Sequence, residues 1–243
     1  MRFDLLTLHP EMCHSPLKQS ILGRAQASGL VTIAIHDLRQ WAVGKHRTAD
    51  DTPYGGGAGM VMRVDVVDRG IEALRTPNSR VVLMDPVGTP FTQRHAERLA
   101  GHDHLILVCG HYEGIDARVR EHLVDEVISI GDFVLTGGEL AAMVVTDAVA
   151  RLLPSVLGNA ESSVHESFAD GLLEAPQYTR PRTYKGFDVP DVLVSGHHAN
   201  IDSWRRQMAV ELTQKVRPDL VATLGEDEKS DADLPIGHLT AQV

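Results

Sequence analysis

Two glycine-rich segments about twenty residues apart carry most of the chemistry written in this chain, Gly110-His-Tyr-Glu-Gly-Ile-Asp116 and Ile130-Gly-Asp-Phe-Val-Leu-Thr-Gly-Gly-Glu139. Each follows an apolar, β-branched run, residues 105–109 and 126–130, that reads as a buried strand, and each opens into a segment of helical character. They are ligand loops at strand ends. Glycine at Gly110, Gly114, Gly131, Gly137 and Gly138 lets a flat ligand approach main-chain N–H and C=O groups with no Cβ in the way. Glu113, Asp116, Asp132 and Glu139 add four carboxylates to the same pair of loops. That mixture suits a nucleoside bearing a positive charge better than a phosphate.

The phosphate readings fail on the letters. A P-loop needs Lys followed by Ser or Thr after its last glycine, and the dinucleotide fingerprint needs Gly-x-Gly-x-x-Gly between a strand and a helix. Neither pattern is present. The third cluster, Tyr54-Gly-Gly-Gly-Ala-Gly-Met60, has Met62 where the third glycine should stand and follows the turn-like Asp50-Asp-Thr-Pro53. It reads as a mobile surface or interface loop.

The elements that must position these loops follow from periodicity. Strand-like runs occupy residues 3–8, 31–38, 81–85, 105–109 and 126–130, and helical patterns occupy 16–28, 64–74, 92–100, 115–123 and 139–153. Their alternation predicts an α/β domain with a mainly parallel sheet over residues 1–154. Pro154 ends the last helix, and residues 155–170 lack clean periodicity and read as an interdomain linker. Over residues 171–224, Ile201, Trp204, Met208 and Leu212 recur at helical spacing, the pattern of a small helical domain. Residues 225–243 are acidic and read as a disordered tail.

Composition sets the outer limits. A chain of 243 residues with 43% apolar content has enough hydrophobic matter for a real core. Two cysteines far apart, Cys13 and Cys109, encode neither a disulfide framework nor a zinc ribbon, and the histidines are scattered without metal-ligand spacing. No run approaches the apolar length of a membrane span, and the start does not read as a secretory signal, so a cytoplasmic protein is expected. The net charge of −10 argues against nucleic acid as a partner until its distribution is considered. Residues 171–219 hold seven Lys or Arg against six Asp or Glu, with Tyr178, Tyr184, Phe187 and Trp204 interleaved. Arg180, Arg182, Arg205 and Arg206 suit contact with an RNA backbone, while the same pattern also fits a solvated helix face.

Five motifs in order resemble the bacterial tRNA (guanine-N1)-methyltransferase family, TrmD, over residues 1 to about 220. They are Asp50-Asp-x-Pro-Tyr-Gly-Gly-Gly-x-Gly-Met60, Leu107-Val-Cys-Gly-x-Tyr-Glu-Gly-Ile-Asp116, Ser129-Ile-Gly-Asp-Phe-Val-Leu-x-Gly-Gly-Glu139, Gly171-Leu-Leu-Glu174 with Tyr178-Thr-Arg-Pro181, and Val189-Pro-x-Val-Leu-x-Ser-Gly-x-His198. The resemblance implies a SPOUT-class α/β fold with a deep trefoil knot at the C-terminal side of the sheet. It also implies a homodimer with its active site between subunits. The implied reaction is S-adenosylmethionine-dependent methylation of N1 of the guanosine immediately 3′ of the tRNA anticodon, position 37, when another guanosine precedes it.

On that resemblance the cofactor pocket comprises Pro86 and Gly88, then Gly110, Tyr112 and Glu113, then Ile130, Gly131, Asp132, Phe133, Val134, Leu135, Gly137 and Gly138. Mg2+ is implied near Glu113. His111 stands where the family usually has Arg, and Phe133 where it usually has Tyr. Guanine N1 carries a proton at neutral pH, so the transfer needs a base and a group to hold charge spreading onto O6. The matching positions are Glu166, usually Asp in the family, and Arg151, with Asp170 as a second candidate base. Arg151 could instead pair with Glu139 or Asp147 on its own helix. Two other readings stay open, a SPOUT enzyme acting on a ribose 2′-hydroxyl and a non-catalytic RNA-binding protein.

Overall fold

A computed structural model describes residues 1–158 and 166–221. The chain divides into two compact units, Met1–Ala160 and Glu161–Val243. The predicted linker residues 159–165 and the predicted tail lie outside the described residues.

In the first unit, β1 (Arg2–Thr7), α1 (Glu11–Leu17), α2 (Ser20–Ala27) and β2 (Thr32–Asp37) are followed by two short strands, β3 (Asp50–Asp51) and β4 (Val61–Met62). Then come α3 (Val64–Leu74), β5 (Ser79–Pro90), α4 (Gln93–Ala100), β6 (His104–Cys109), β7 (Glu126–Ser129) and α5 (Glu139–Ala150). The main sheet has the order β2-β1-β6-β5-β7 and every pairing is parallel. Strands buried on both faces need continuous apolar runs rather than alternation. His104–Cys109, all six residues buried, is such a run.

Successive residues still divide between the two faces. Phe3, Leu5, Val82, Met84, Leu105 and Leu107 pack with Cys13, Leu22, Leu99, Ala142 and Val145 from α1, α2, α4 and α5. Leu6, Leu83, Ile106 and Val108 pack with Val66, Val67 and Ile71 of α3 on the other side. Each large aliphatic side chain so buried contributes about 1.5–3 kcal/mol. At Gly70 a Cβ would come within 3.0 Å of Leu6 Cδ2, so α3 lies as close to β1 as its glycine permits.

Two predicted helices differ from the structure. The 16–28 pattern is two helices, because the chain breaks at Lys18 and Gln19, and Ser20 takes a left-handed φ of 52°. The 115–123 pattern is helical only from Ala117, and Val119–Leu123 of it is a π-helical turn. Ile115 is drawn instead into a parallel bridge with Met62, and Asp116 accepts the Arg118 N–H at 3.0 Å. Tertiary pairing overrides local propensity there.

The second unit holds a hairpin, β8 (Thr183–Tyr184) with β9 (Phe187–Asp188), a 3₁₀ turn at Asp191–Val194 and α6 (His198–Val216). The hairpin is an addition to the helical pattern read from sequence. On α6, Ile201 is buried, and Trp204 stacks obliquely on Tyr178 with ring centres 6.3 Å apart.

One charge is sealed into the main sheet. Asp4, fully buried on β1, takes Arg2 Nε at 2.7 Å, His36 Nε2 at 2.7 Å and His104 Nε2 at 2.6 Å. Burial pushes its carboxyl up, but the bonds from His36, Arg2 and His104 outweigh that and leave it below the usual carboxylate value. A group with a depressed folded pKa stabilises above its unfolded value and loses that contribution as pH falls through the folded one. Asp4→Asn is therefore expected to lower unfolding free energy at pH 7 by about 3 kcal/mol, seen as a lower urea midpoint by circular dichroism. The gap between variant and wild type should shrink as pH falls below the ordinary 3.8. An unchanged midpoint at pH 7 would remove this role.

Candidate functional site

The site is built where three adjacent strands end. β6 stops at Cys109, β7 stops at Ser129, and β5 lies between them with an interruption. Met84 pairs with Ile128, the chain leaves the ladder, and Thr89 then pairs with the same Ile128. Gly88 makes that return possible. A Cβ there would sit 2.6 Å from the backbone of Val127 and Ile128, a separation no side chain can occupy.

The other two loops meet each other just as closely. Gly138 donates its N–H to the Gly110 carbonyl at 2.8 Å, and His111 bridges Gly137. A Cβ on Gly138 would fall 2.8 Å from Cys109 Cα and 2.9 Å from Gly110 N. Gly131, at φ 150°, leaves room for the Phe133 ring, which would otherwise be 2.5 Å from its Cβ.

These loops enclose a cavity of about 260 Å³ at the carboxyl ends of the parallel strands, the usual place for a ligand in an open α/β sheet. Pro86, Gly110, Tyr112, Glu113, Ile130, Gly131, Phe133, Val134, Leu135, Gly137 and Gly138 all line it. Of the residues expected there, Gly88 packs behind the cavity on β7 and Asp132 is exposed outside the lining. Tyr112 (44% exposed), Phe133 (53%) and Val134 (84%) present apolar surface to solvent. Tyr112 does so from a left-handed φ of 60°, a conformation that non-glycine residues adopt at a cost.

The four loop carboxylates are not equivalent. Asp116 forms a two-pronged pair with Arg118, with Arg118 Nη2 at 2.7 Å and Nε at 2.9 Å, and this holds its carboxyl below the usual range. Asp132 is exposed and lies outside the lining. Glu113 lines the cavity, and Gly59 of the exposed third glycine cluster lies against it, where a Cβ would come 2.5 Å from Glu113 Cγ. Glu139 is fully buried beneath the cavity, accepting Thr7 Oγ1 at 2.6 Å. Among the described residues no group of three or more His, Cys, Asp or Glu is placed to hold a metal ion.

Arg151 follows α5 and donates its backbone N–H to the Asp147 carbonyl at 3.1 Å. In the second unit, Glu166 is half-buried and borders a cavity of about 520 Å³ with Asp170, Glu174, Arg205 and Arg206. Asp170 is ion-paired with Arg206, which is therefore engaged within its own unit; Arg182 is likewise held by Asp191 at 2.7 Å. The pocket residues that sequence reasoning did not single out as ligands are the apolar Met84, Val87, Ile128 and Ala141, with Asp85, His111, Ser129 and Thr136. Most of them lie within β5, β7 or α5, where core and pocket-facing side chains read alike in sequence.

The architecture so far is that of an α/β protein with a glycine-walled ligand pocket at the carboxyl edge of a parallel sheet. Residues 1–223 match the family described as tRNA (Guanine-1)-methyltransferase TrmD, and the chain belongs to that family. It is 54% identical to the tRNA (guanine-N(1)-)-methyltransferase of Citrifermentans bemidjiense, over 96% of this chain and 94% of that protein. It is 55% identical to that of Geobacter sulfurreducens, over 96% of each chain. With that of Chloroflexus aggregans it shares 57% identity, over 91% of this chain and 88% of the other.

Two outcomes follow from this geometry. Gly88→Ala is expected to cost about 3 kcal/mol of stability, because the clash is with backbone and cannot be relieved by a rotamer; an unchanged thermal midpoint would mean the loop has room that the structure denies. Burial raises the Cys13 thiol to about 11, with the charge of Glu139 adding to the rise, and pushes Cys109 well up for the same reasons. A thiol-reactive dye at pH 8 should therefore label fewer than about one in ten native molecules and both cysteines in urea. Rapid native labelling would contradict the burial.

Proposed function

We propose that this chain is an S-adenosylmethionine-dependent methyltransferase that modifies N1 of the guanosine immediately 3′ of the tRNA anticodon when another guanosine precedes it. The observation that carries the reading is the pocket of main-chain edges at three adjacent strand ends, in a chain more than half identical to enzymes named for this reaction. Gly110, Gly137 and Gly138 put main chain at the wall with no side chain to hold the adenine edge away. Ile130 and Leu135 supply faces for the ring, Tyr112 and Phe133 close the mouth, and Glu113 provides negative charge for a cation.

In this reading the segment between Met84 and Thr89 and the chain after β7 together form the deep trefoil knot of the SPOUT class. That would account for β5 meeting Ile128 twice. The second unit acts as a small tRNA-binding domain. Exposed Tyr184 and Phe187 on the hairpin, with Lys185 5.4 Å from the Tyr184 ring centre, support contact with unpaired bases. A homodimer is favoured by Leu140 and Val144, exposed one turn apart on α5, and by exposed Met12 on α1, which packs against α5. No helix among the described residues is long and apolar enough to cross a membrane.

Bound S-adenosylmethionine supplies an electrophilic methyl group. The protein's task is to free the N1 lone pair. Glu166 takes the N1 proton onto its carboxylate, and the Arg151 guanidinium donates to O6, where the negative charge gathers.

The test is transfer of labelled methyl to an unmodified tRNA transcript with two guanosines at the anticodon's 3′ edge, mapped by reverse-transcription arrest. Arrest is expected at the second guanosine. Arg151→Ala should abolish it, and Glu166→Gln should slow it roughly a hundredfold. A Glu166→Gln enzyme of full activity would point to 2′-hydroxyl chemistry or to another base.

A further inference from the structure

Among the described residues, four buried side-chain atoms lack a hydrogen-bond partner: Glu139 Oε2, His111 Nδ1, His9 Nε2 and His14 Nδ1. Three of them belong to one cluster under the pocket floor. The rings of His9 and His111 are 4.4 Å apart, and a Cβ on Gly137 would run into both His111 Nδ1 and Glu139 Oε2. The carboxylate and the imidazole therefore face one small space, directly behind glycines that line the cavity. His111 itself lines it.

Thr7 satisfies only one oxygen of Glu139. A fully buried carboxylate half-supplied with donors is costly unless something else balances its charge. Its field is felt around it, since it raises the thiols of Cys13 on α1 and Cys109 on β6.

We propose that Glu139 is the buried counter-charge of this pocket and that His111 is the positioning residue that gates it. With the imidazole neutral, the negative charge of Glu139 acts on a cation in the pocket. With the imidazole protonated, His111 and Glu139 neutralise each other and the pocket loses that attraction. The inference rests on reading the cavity as the S-adenosylmethionine site. Its consequence is discrimination between the sulfonium substrate and the uncharged thioether product, S-adenosylhomocysteine, which are otherwise alike in shape and hydrogen bonding.

The groups facing His111 are Glu139 from α5, His9 from the end of β1, Arg39 from the turn after β2, and Tyr112 beside it in its own loop. Burial holds His111 below the usual imidazole value, Glu139 pulls it up, and His9 and Arg39 push it down. The ring is thus neutral at neutral pH, with the charge of Glu139 unmasked.

The experiment is calorimetric titration of the full chain with S-adenosylmethionine and, separately, S-adenosylhomocysteine between about pH 4.5 and 8, a range carried below the ordinary imidazole value because burial holds His111 under it. The ratio of the two affinities cancels any group that acts on both ligands alike. In the wild type the ratio should rise with pH in favour of the sulfonium, by roughly fivefold. Glu139→Gln keeps an acceptor for Thr7 and should lower the ratio and flatten its pH dependence. His111→Arg places a permanent cation there and should do the same, which serves if the Gln variant does not fold. A flat wild-type ratio, or a pH dependence that persists in His111→Arg, overturns the proposal while leaving the pocket's assignment intact. Failure of both ligands to bind the wild type would remove the assignment as well.

Discussion

Everything distinctive in this protein depends on backbone lying on backbone. At Gly88 and at Gly138 no Cβ has room, because the main chain of a neighbouring strand or loop occupies its place. The first contact returns β5 to β7 after its excursion, and the second locks the loop after β7 onto the loop after β6. Three strand ends are thereby drawn together, and the cavity is the space they leave. Few glycines in the chain are under so strict a requirement: Gly29, Gly44 and Gly55 have positive φ but open space around them.

The rigidity of that arrangement comes from the sheet beneath it. Phe3, Leu105 and Val82 pack on one face, and Leu6, Ile106 and Leu83 on the other, so that β1, β6 and β5 are clamped between helices. Asp4 with Arg2, His36 and His104 joins three strands across the sheet by hydrogen bonds. The loop end can then be irregular, with Tyr112 in a left-handed conformation and Phe133 and Val134 exposed, because the strands that carry it are not. A preorganised floor with adaptable walls is what recognition of a flat, charged nucleoside requires.

Electrostatically the pocket is asymmetric. Asp116 is neutralised by Arg118, while Glu113 at the wall and Glu139 under the floor remain for a cation. The His111 imidazole shares the space behind Gly137 with the buried carboxylate, and His9 packs against it. This local arrangement of His9 and His111 around Glu139 distinguishes the chain from a site whose charges are permanently paired.

Much of this was legible in the letters. The five main strands, α3 to the residue, α5 at its start and the two ligand loops follow from apolar runs, period and glycine placement, because those signals are local. The chain's family could be read from its spaced motifs. Only the folded structure decided which carboxylates face the ligand, because that depends on partners far away in sequence: Thr7 claims Glu139 across 132 residues, and Arg206 claims Asp170 across 36. It also decided the fate of Ile115, pulled from a helical pattern into a bridge with Met62, and the break that divides α1 from α2. Sequence patterns record what each residue prefers beside its neighbours, whereas the charge and shape of the pocket are set by which distant groups the sheet brings within hydrogen-bonding reach.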